Sequence, residues 1–196
     1  MDSNEAATDS DAKAVFHGRN FVVYRHKVDL PTGESQEHEY LWRTDGARII
    51  AFDEQGQVLL TREYRHELKE WDWRVPGGKV DPGETPKEAA HREFREETGF
   101  KAANLHFLWG TTPDSTVRYR RYFFLAKDLS EVGASRDDGE QMSVHWVPLD
   151  RAAEMALEGE IKEEISALAL LRVRSSLDEL DLANALPASV APRHAD

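Results

Sequence analysis

The chain reads as an α/β/α sandwich around a mixed sheet, carrying a small β element at its N-terminus. Three observations predict this. Strand-like runs recur on both sides of one sharply punctuated helix, and a second amphipathic helix follows the last of them. The length, 196 residues, suits one good core and is too short for two ordinary domains. Hydrophobic residues make up 40% and charged residues 32%, and no apolar run approaches the ~20 residues that would span a bilayer.

In chain order, residues 1–13 are acidic and small, without the basic start and apolar stretch of a secretory signal, and read as a disordered tail. Residues 14–45 read as the N-terminal β element: alternating stretches at Phe21–Tyr24 and Glu39–Trp42 flank the turn-forming run Leu30-Pro31-Thr32-Gly33. Residues 46–182 form the main domain. Its first two strands, Ala47–Phe52 and Gln57–Tyr64, surround Asp53-Glu54-Gln55-Gly56 and are expected to pair antiparallel as a hairpin. Thr85 to Gly99 carries helix punctuation at both ends. Thr85 and Glu88 have capping-box spacing, Pro86 takes the first helical position, and Gly99 lies just past the end. Strands are expected at Asn104–Thr111, Val117–Ala126 and Ser143–Val147, with a polar loop at Ser130–Glu140 before the last. A helix over Ile161–Leu180 would present Ile161, Ile165, Leu168 and Leu171 at helical spacing. Residues 183–196, with two prolines and no period, read as a loose tail.

Charge and cysteine usage narrow the function. There is no cysteine, so any metal must be held by oxygen or imidazole, and a reducing cytoplasm suits the chain. A formal net charge of −12 argues against a protein that grips nucleic acid through a basic face. An acidic protein that handles phosphates needs cations to bring them in.

Projected on a helix at about 100° per residue, Glu93, Glu96 and Glu97 fall within one arc of roughly 100°. Lys87, His91, Arg95 and Thr98 fall opposite, as a solvated face, while Ala90 and Phe94 flank the carboxylates toward the core. Like charges at these spacings oppose the helix by about 0.2–0.5 kcal/mol each, and Arg92 relieves only part of that. A hard divalent cation resolves the conflict, because Mg²⁺ takes carboxylate oxygens, keeps several waters and is completed by substrate phosphates. The plainer reading is a solvated acidic stripe. Against it stands the loop just upstream, where Pro76-Gly77-Gly78 and Gly83-Glu84 bring permissive backbone next to the carboxylates.

Written out, Gly78-x5-Glu84-x7-Arg92-Glu93-Phe94-x-Glu96-Glu97-x-Gly99-Phe100 resembles the Nudix box, the signature loop-helix-loop of the Nudix hydrolase family, at every defined position. A match of this kind arises by chance on the order of one time in a million. The resemblance implies that Glu93, Glu96 and Glu97 bind Mg²⁺, or Mn²⁺ in its place, with the Gly77 carbonyl as a further ligand. It also implies that Arg92 and Glu84 brace the carboxylates, and that a water attacks phosphorus in a substrate pyrophosphate.

Beyond the box, residues 14–171 look similar to the branch that hydrolyses ADP-ribose and nucleotide sugars, which carries an N-terminal β element used for dimer formation. The counterparts are Phe21–Trp42, the triplet Glu63-Tyr64-Arg65, and the approach Trp71-Asp72-Trp73-Arg74-Val75-Pro76. Arg62 and Arg65 are candidates for phosphate or ribose contacts, since guanidinium forks match phosphate oxygens. Trp71 either stacks a base or packs a core, and Glu140 matches by position a loop glutamate that handles the attacking water. The chain departs from the branch at Pro113, which comes early, at Arg74 where Glu is usual, and at Gly77 where Ala is usual. Arg74 is therefore a candidate for contacting the terminal group. The partner expected is a small nucleotide, with no nucleic acid and no membrane, on a homodimer. Two alternatives stay open: a Nudix hydrolase of nucleoside triphosphates, dinucleoside polyphosphates or capped RNA, and a non-catalytic ligand sensor on the same fold.

Overall fold

Ile49–Ala51 and Val58–Leu60 are apolar on both faces, and in the computed structural model, which describes residues 11–66, 68–135 and 141–176, both stretches are buried. The elements are β1 (Lys13–His17), β2 (Val22–Asp29), β3 (Ser35–Trp42), β4 (Gly46–Ala51), β5 (Gln57–Arg65), β6 (Glu70–Arg74), α1 (Pro86–Thr98), β7 (Phe100–Gly110), β8 (Val117–Arg118), β9 (Arg121–Glu131), β10 (Met142–Pro148), α2 (Leu149–Leu157) and α3 (Glu164–Ser175).

Strands β4, β9 and β7 form a mixed sheet in which β4 runs parallel to β9, while β10, β5 and β6 form an antiparallel one. Alternation along each strand divides the interior in two. Ala47, Ile49 and Ala51 of β4, Leu59 of β5 and Phe124 of β9 pack under α1 through Ala89, Ala90 and Phe94. Their neighbours Ile50, Val58, Leu60, Phe123 and Leu125 pack on the other side, against Ala152 and Met155 of α2 and Leu170 and Val173 of α3. The sheets therefore lie between helices, as an α/β/α sandwich. Among the described residues, no helix is long and apolar enough to cross a membrane.

Helix α1 matches its punctuation. Thr85 caps it with the reciprocal Glu88 bonds of a capping box, and Gly99 closes it at φ 78°. Thr98, expected on the solvated arc, is instead buried, and its hydroxyl donates to the Phe94 carbonyl within the helix.

Several expectations are corrected. The stretches 47–52 and 57–64 are not a hairpin: apart from one bridge between Phe52 and Val58, β4 and β5 enter different sheets. Strands with two apolar faces are stabilised by being sandwiched, which overrides the short turn between them. The expected strand at 117–126 breaks after Arg118, because Val117 and Arg118 pair with β3 while Arg121 begins the pairing with β4. Helix α2 was not anticipated. The helix expected over 161–180 begins at Glu164, with Leu168 59% exposed and Ser166, Ala169, Leu170 and Val173 forming its inner face. Residues 177–196, 136–140 and 1–10 lie outside the described residues, whereas Lys13 already belongs to β1.

At the N-terminus, β1, β2 and β3 form an antiparallel sheet that β8 extends in parallel. Its anchor is Tyr40, buried and stacked on Tyr24, with the Arg118 guanidinium 3.6 Å from the ring centroid. Every residue of β1 is exposed, and Val15, Phe16 and Phe21 remain open to solvent.

Candidate active site

A cavity of about 660 Å³ opens beside α1, walled on one side by Glu93, Glu96 and Glu97 and on another by Arg43, Tyr119 and Arg121. The helix phase predicted from sequence is what aims the carboxylates there. Glu97 reaches deepest and accepts a hydrogen bond from the Gly77 N–H at 2.8 Å. Burial pushes its carboxyl up to about 8; the Gly77 N–H and Arg48 oppose that rise, and neighbouring Glu93 adds to it. Burial also raises Glu93, with Arg92 pulling the other way.

Arg92 organises this acidic wall. It holds Glu84 through two bonds of 2.8 and 2.9 Å, reaches Glu93 at 2.9 Å and Glu96 at 3.3 Å, and donates to the Lys79 carbonyl at 3.0 Å. That fork keeps Glu84 ionised below the usual carboxylate range.

The glycine loop is shaped by close approach. Gly77 has φ +135°, and a Cβ there would come 2.9 Å from Arg48 Cα. A Cβ on Gly78 would fall within 2.6 Å of the carboxylate atoms of Glu93. Gly78→Ala is therefore expected to displace Glu93, lowering kcat/KM by about tenfold to a hundredfold. Because the clash is with the end of a side chain, the melting temperature should stay within a few degrees. Steady-state kinetics and thermal unfolding check both, and unchanged kcat/KM would show that Glu93 need not sit where it does.

A second set of charges lies next to the first. Arg48 donates to the Gly77 carbonyl at 2.8 Å and to Glu163 at 2.8 Å, so the carbonyl expected as a metal ligand already accepts one hydrogen bond. Arg74 lies 3.4 Å from both Glu163 and Asp72 and 3.8 Å from Glu63. Arg65 pairs with Glu63 at 2.6 Å. Burial opposes the charge on Glu163, but Arg48, Arg74 and the Ser166 hydroxyl outweigh it and hold the carboxyl below its ordinary value.

Of the residues expected to contact substrate, Arg65 and Arg74 line this cavity and Arg62 and Trp71 do not. Strand parity is the reason. Glu63 lies opposite Asp72 and shares its face, whereas Arg62 lies opposite Trp73 on the other face, its guanidinium 5.4 and 5.5 Å from the Trp71 and Trp73 rings. Glu140 lies outside the described residues. Sequence reasoning did not single out Arg48, Glu163, Arg43, Tyr119 or Arg121; the dense run Arg118-Tyr119-Arg120-Arg121 was the available signal for the last two.

Among the described residues, no three His, Asp or Glu side chains converge into a ready-made metal cage. The anionic groups that line the cavity are nonetheless all carboxylates. That donor set fits a hard divalent cation that keeps most of its waters and is completed by phosphate, and fits a soft metal poorly.

Residues 42–171 match the NUDIX domain. The chain belongs to the Nudix family. Members depend in general on a divalent metal, in keeping with the oxygen donors here. Among similar proteins, a CMP-5'-(N-acetyl-N-hydroxy-3-aminopropyl)phosphonate hydrolase of Streptomyces rubellomurinus is 33% identical over 82% of this chain and 79% of its own length. An ADP-ribose pyrophosphatase of Mycobacterium tuberculosis is 32% identical over 81% of this chain and 78% of its own. The crystal structure of an ADP compounds hydrolase superposes on this Nudix chain with a TM-score of 0.74 at 26% identity, covering 87% of this chain and 94% of that one.

Proposed function

We propose that this Nudix hydrolase cleaves the pyrophosphate of a nucleoside diphosphate sugar of the ADP-ribose kind, giving a nucleoside monophosphate and a sugar phosphate, with Mg²⁺ bound and Mn²⁺ as its substitute. The observation that carries this reading is the cavity lined by Glu93, Glu96 and Glu97 together with Arg65, Arg74 and Arg92. Relatives that act on ADP-ribose and on a CMP-linked phosphonate support the substrate class.

Water adds across the P–O–P bond. One phosphorus gains the hydroxyl, the bridging oxygen leaves with the other phosphoryl group, and the proton of the water ends on the products or solvent. A divalent cation, when held by the carboxylates, would withdraw charge from the phosphoryl oxygens and lower the pKa of water. Glu97, held by the Gly77 N–H, and Glu93 and Glu96, held by Arg92, are the candidate ligands. Arg65 and Arg74 are candidate contacts to phosphate or to the terminal group, while Glu140 is kept as the candidate that handles the water. Arg62 and Trp71, on the opposite face of β5 and β6, would reach a substrate only outside this cavity.

The test is phosphate release, after added phosphatase, from ADP-ribose, ADP-glucose, GDP-mannose, UDP-glucose and dinucleoside polyphosphates, with Mg²⁺ and with chelator. Nucleoside triphosphates are followed by pyrophosphate instead. Metal-dependent cleavage of a nucleotide sugar is expected, and silence across the panel would overturn the reading. No cysteine is present, which accords with a cytoplasmic setting, and the net charge of −12 accords with a small-molecule substrate rather than nucleic acid.

The same reading includes a homodimer through the N-terminal sheet, whose exposed Val15, Phe16 and Phe21 have no core of their own. Sedimentation at micromolar concentration is expected to show a dimer, and a monomer alone would defeat it.

A further inference from the structure

Four arginines of the cavity already hold carboxylates: Arg48 pairs with Glu163, Arg65 with Glu63, Arg74 with Glu163 and Asp72, and Arg92 with Glu84. Arg43 and Arg121 line the same cavity, and among the described residues neither makes an ion pair. Both instead stack on Tyr119, with Cζ 4.8 and 3.9 Å from the ring centroid.

Backbone pairing locks this arrangement. Gly46 pairs with Arg121 where β4 runs parallel to β9, Arg43 N donates to the Arg118 carbonyl at 3.2 Å, and Gly46 N donates to the Arg120 carbonyl at 2.9 Å. Both guanidiniums are partly buried, and burial together with the nearby Arg48 disfavours their charge, lowering Arg43 and bringing Arg121 down to about 10. Glu163, already shared by Arg48 and Arg74, offsets only part of this, and a bound anion would relieve the rest. Arg121 lies two residues before Phe123 on β9 and so shares the face packed against α2 and α3, whereas α1 packs on the other face, which sets the arginine pair apart from the α1 carboxylates within the cavity.

We propose that Arg43, Tyr119 and Arg121 form a subsite for a second anionic group, a carboxylate, phosphonate or phosphate, carried by the part of the substrate beyond the diphosphate. This rests on the hydrolase reading above and specifies its substrate class. Guanidiniums offer planar forks to an anion, and Tyr119 holds both by their contact with its ring without neutralising them.

The experiment compares glucose 1-phosphate with glucuronic acid 1-phosphate, which differ at C6 by a hydroxymethyl against a carboxylate and contain no base. Calorimetric Kd values are measured with Mg²⁺ for the wild-type chain, the double variant Arg43→Gln/Arg121→Gln, and the charge-preserving Arg43→Lys/Arg121→Lys. In the wild type, the uronate is expected to bind about tenfold to a hundredfold tighter. The glutamine variant should bring that ratio close to one, and the lysine variant should keep part of it. A wild-type ratio near one, a ratio unchanged in the glutamine variant, or no binding of either ligand overturns the subsite. Failure of the hydrolase reading shows separately, as silence in the nucleotide panel whatever this ratio is.

Discussion

Replacing Glu97 by Gln is expected to lower kcat by roughly a hundredfold or more while the protein stays folded. The amide keeps the shape of the side chain and an oxygen to accept the Gly77 N–H, which now donates at 2.8 Å. What it loses is the anionic oxygen at the deepest point of the carboxylate wall. The same variant has a stability signature of opposite sign. The Glu97 carboxyl rises from 4.5 to about 8 in the folded protein, mainly through burial, so the folded state holds its proton more tightly than the unfolded chain. Its contribution is fully present below about pH 4.5 and is lost as pH climbs through about 8. In chelator, the wild type should therefore lose stability relative to Glu97→Gln between those limits, as read from the difference of their melting temperatures at each pH. Adding Mg²⁺ should raise the wild-type melting temperature, as a ligand that binds only the folded state must, and raise the variant's much less. Near-normal turnover in Glu97→Gln would overturn the metal assignment, and a melting difference flat with pH would overturn the burial argument.

Removing the Arg92 side chain should cost the most stability of any single change at the site. Arg92→Ala leaves Glu84, Glu93 and Glu96 without the guanidinium they share, and also frees the Lys79 carbonyl. Breaking a buried ion pair from one side costs about 3–5 kcal/mol. With the side chain a quarter exposed, solvent screening brings the expectation to about 2–3 kcal/mol, or roughly 5–10 °C in melting temperature. Turnover should fall as well, because Glu93 and Glu96 lose what holds them. Arg92→Lys should rescue little, since an ammonium cannot make the paired bonds to Glu84 Oε1 and Oε2 while also reaching Glu93. A loss of less than about 1 °C in Arg92→Ala would mean that solvent already screens the cluster.

How much of the site was legible in advance follows from how local each interaction is. The carboxylate face needs only helix phase, and α1 announces its own ends through Thr85, Pro86, Glu88 and Gly99. The box motif implied that Arg92 and Glu84 brace the carboxylates, and the structure adds that they do so while paired with each other. Arg65 and Arg62 show the limit. Both are arginines at the end of one strand, yet Arg65 points into the cavity and Arg62 onto the tryptophans, since one step along a strand reverses the face. Only knowledge of which face of β5 meets α1 separates them.

The sequence by itself determined the family, the helix that carries the carboxylates, and the glycine loop against it, because caps, helical phase and backbone permissiveness act within a few residues. Tertiary structure alone decided that β4 and β5 part into two sheets, that Glu163 at the start of α3 joins Arg48 and Arg74, and that Arg43 meets Tyr119 and Arg121. Those contacts join segments far apart in the chain. Their register is set by which apolar faces are buried together, a property of the packed sandwich that no local stretch encodes.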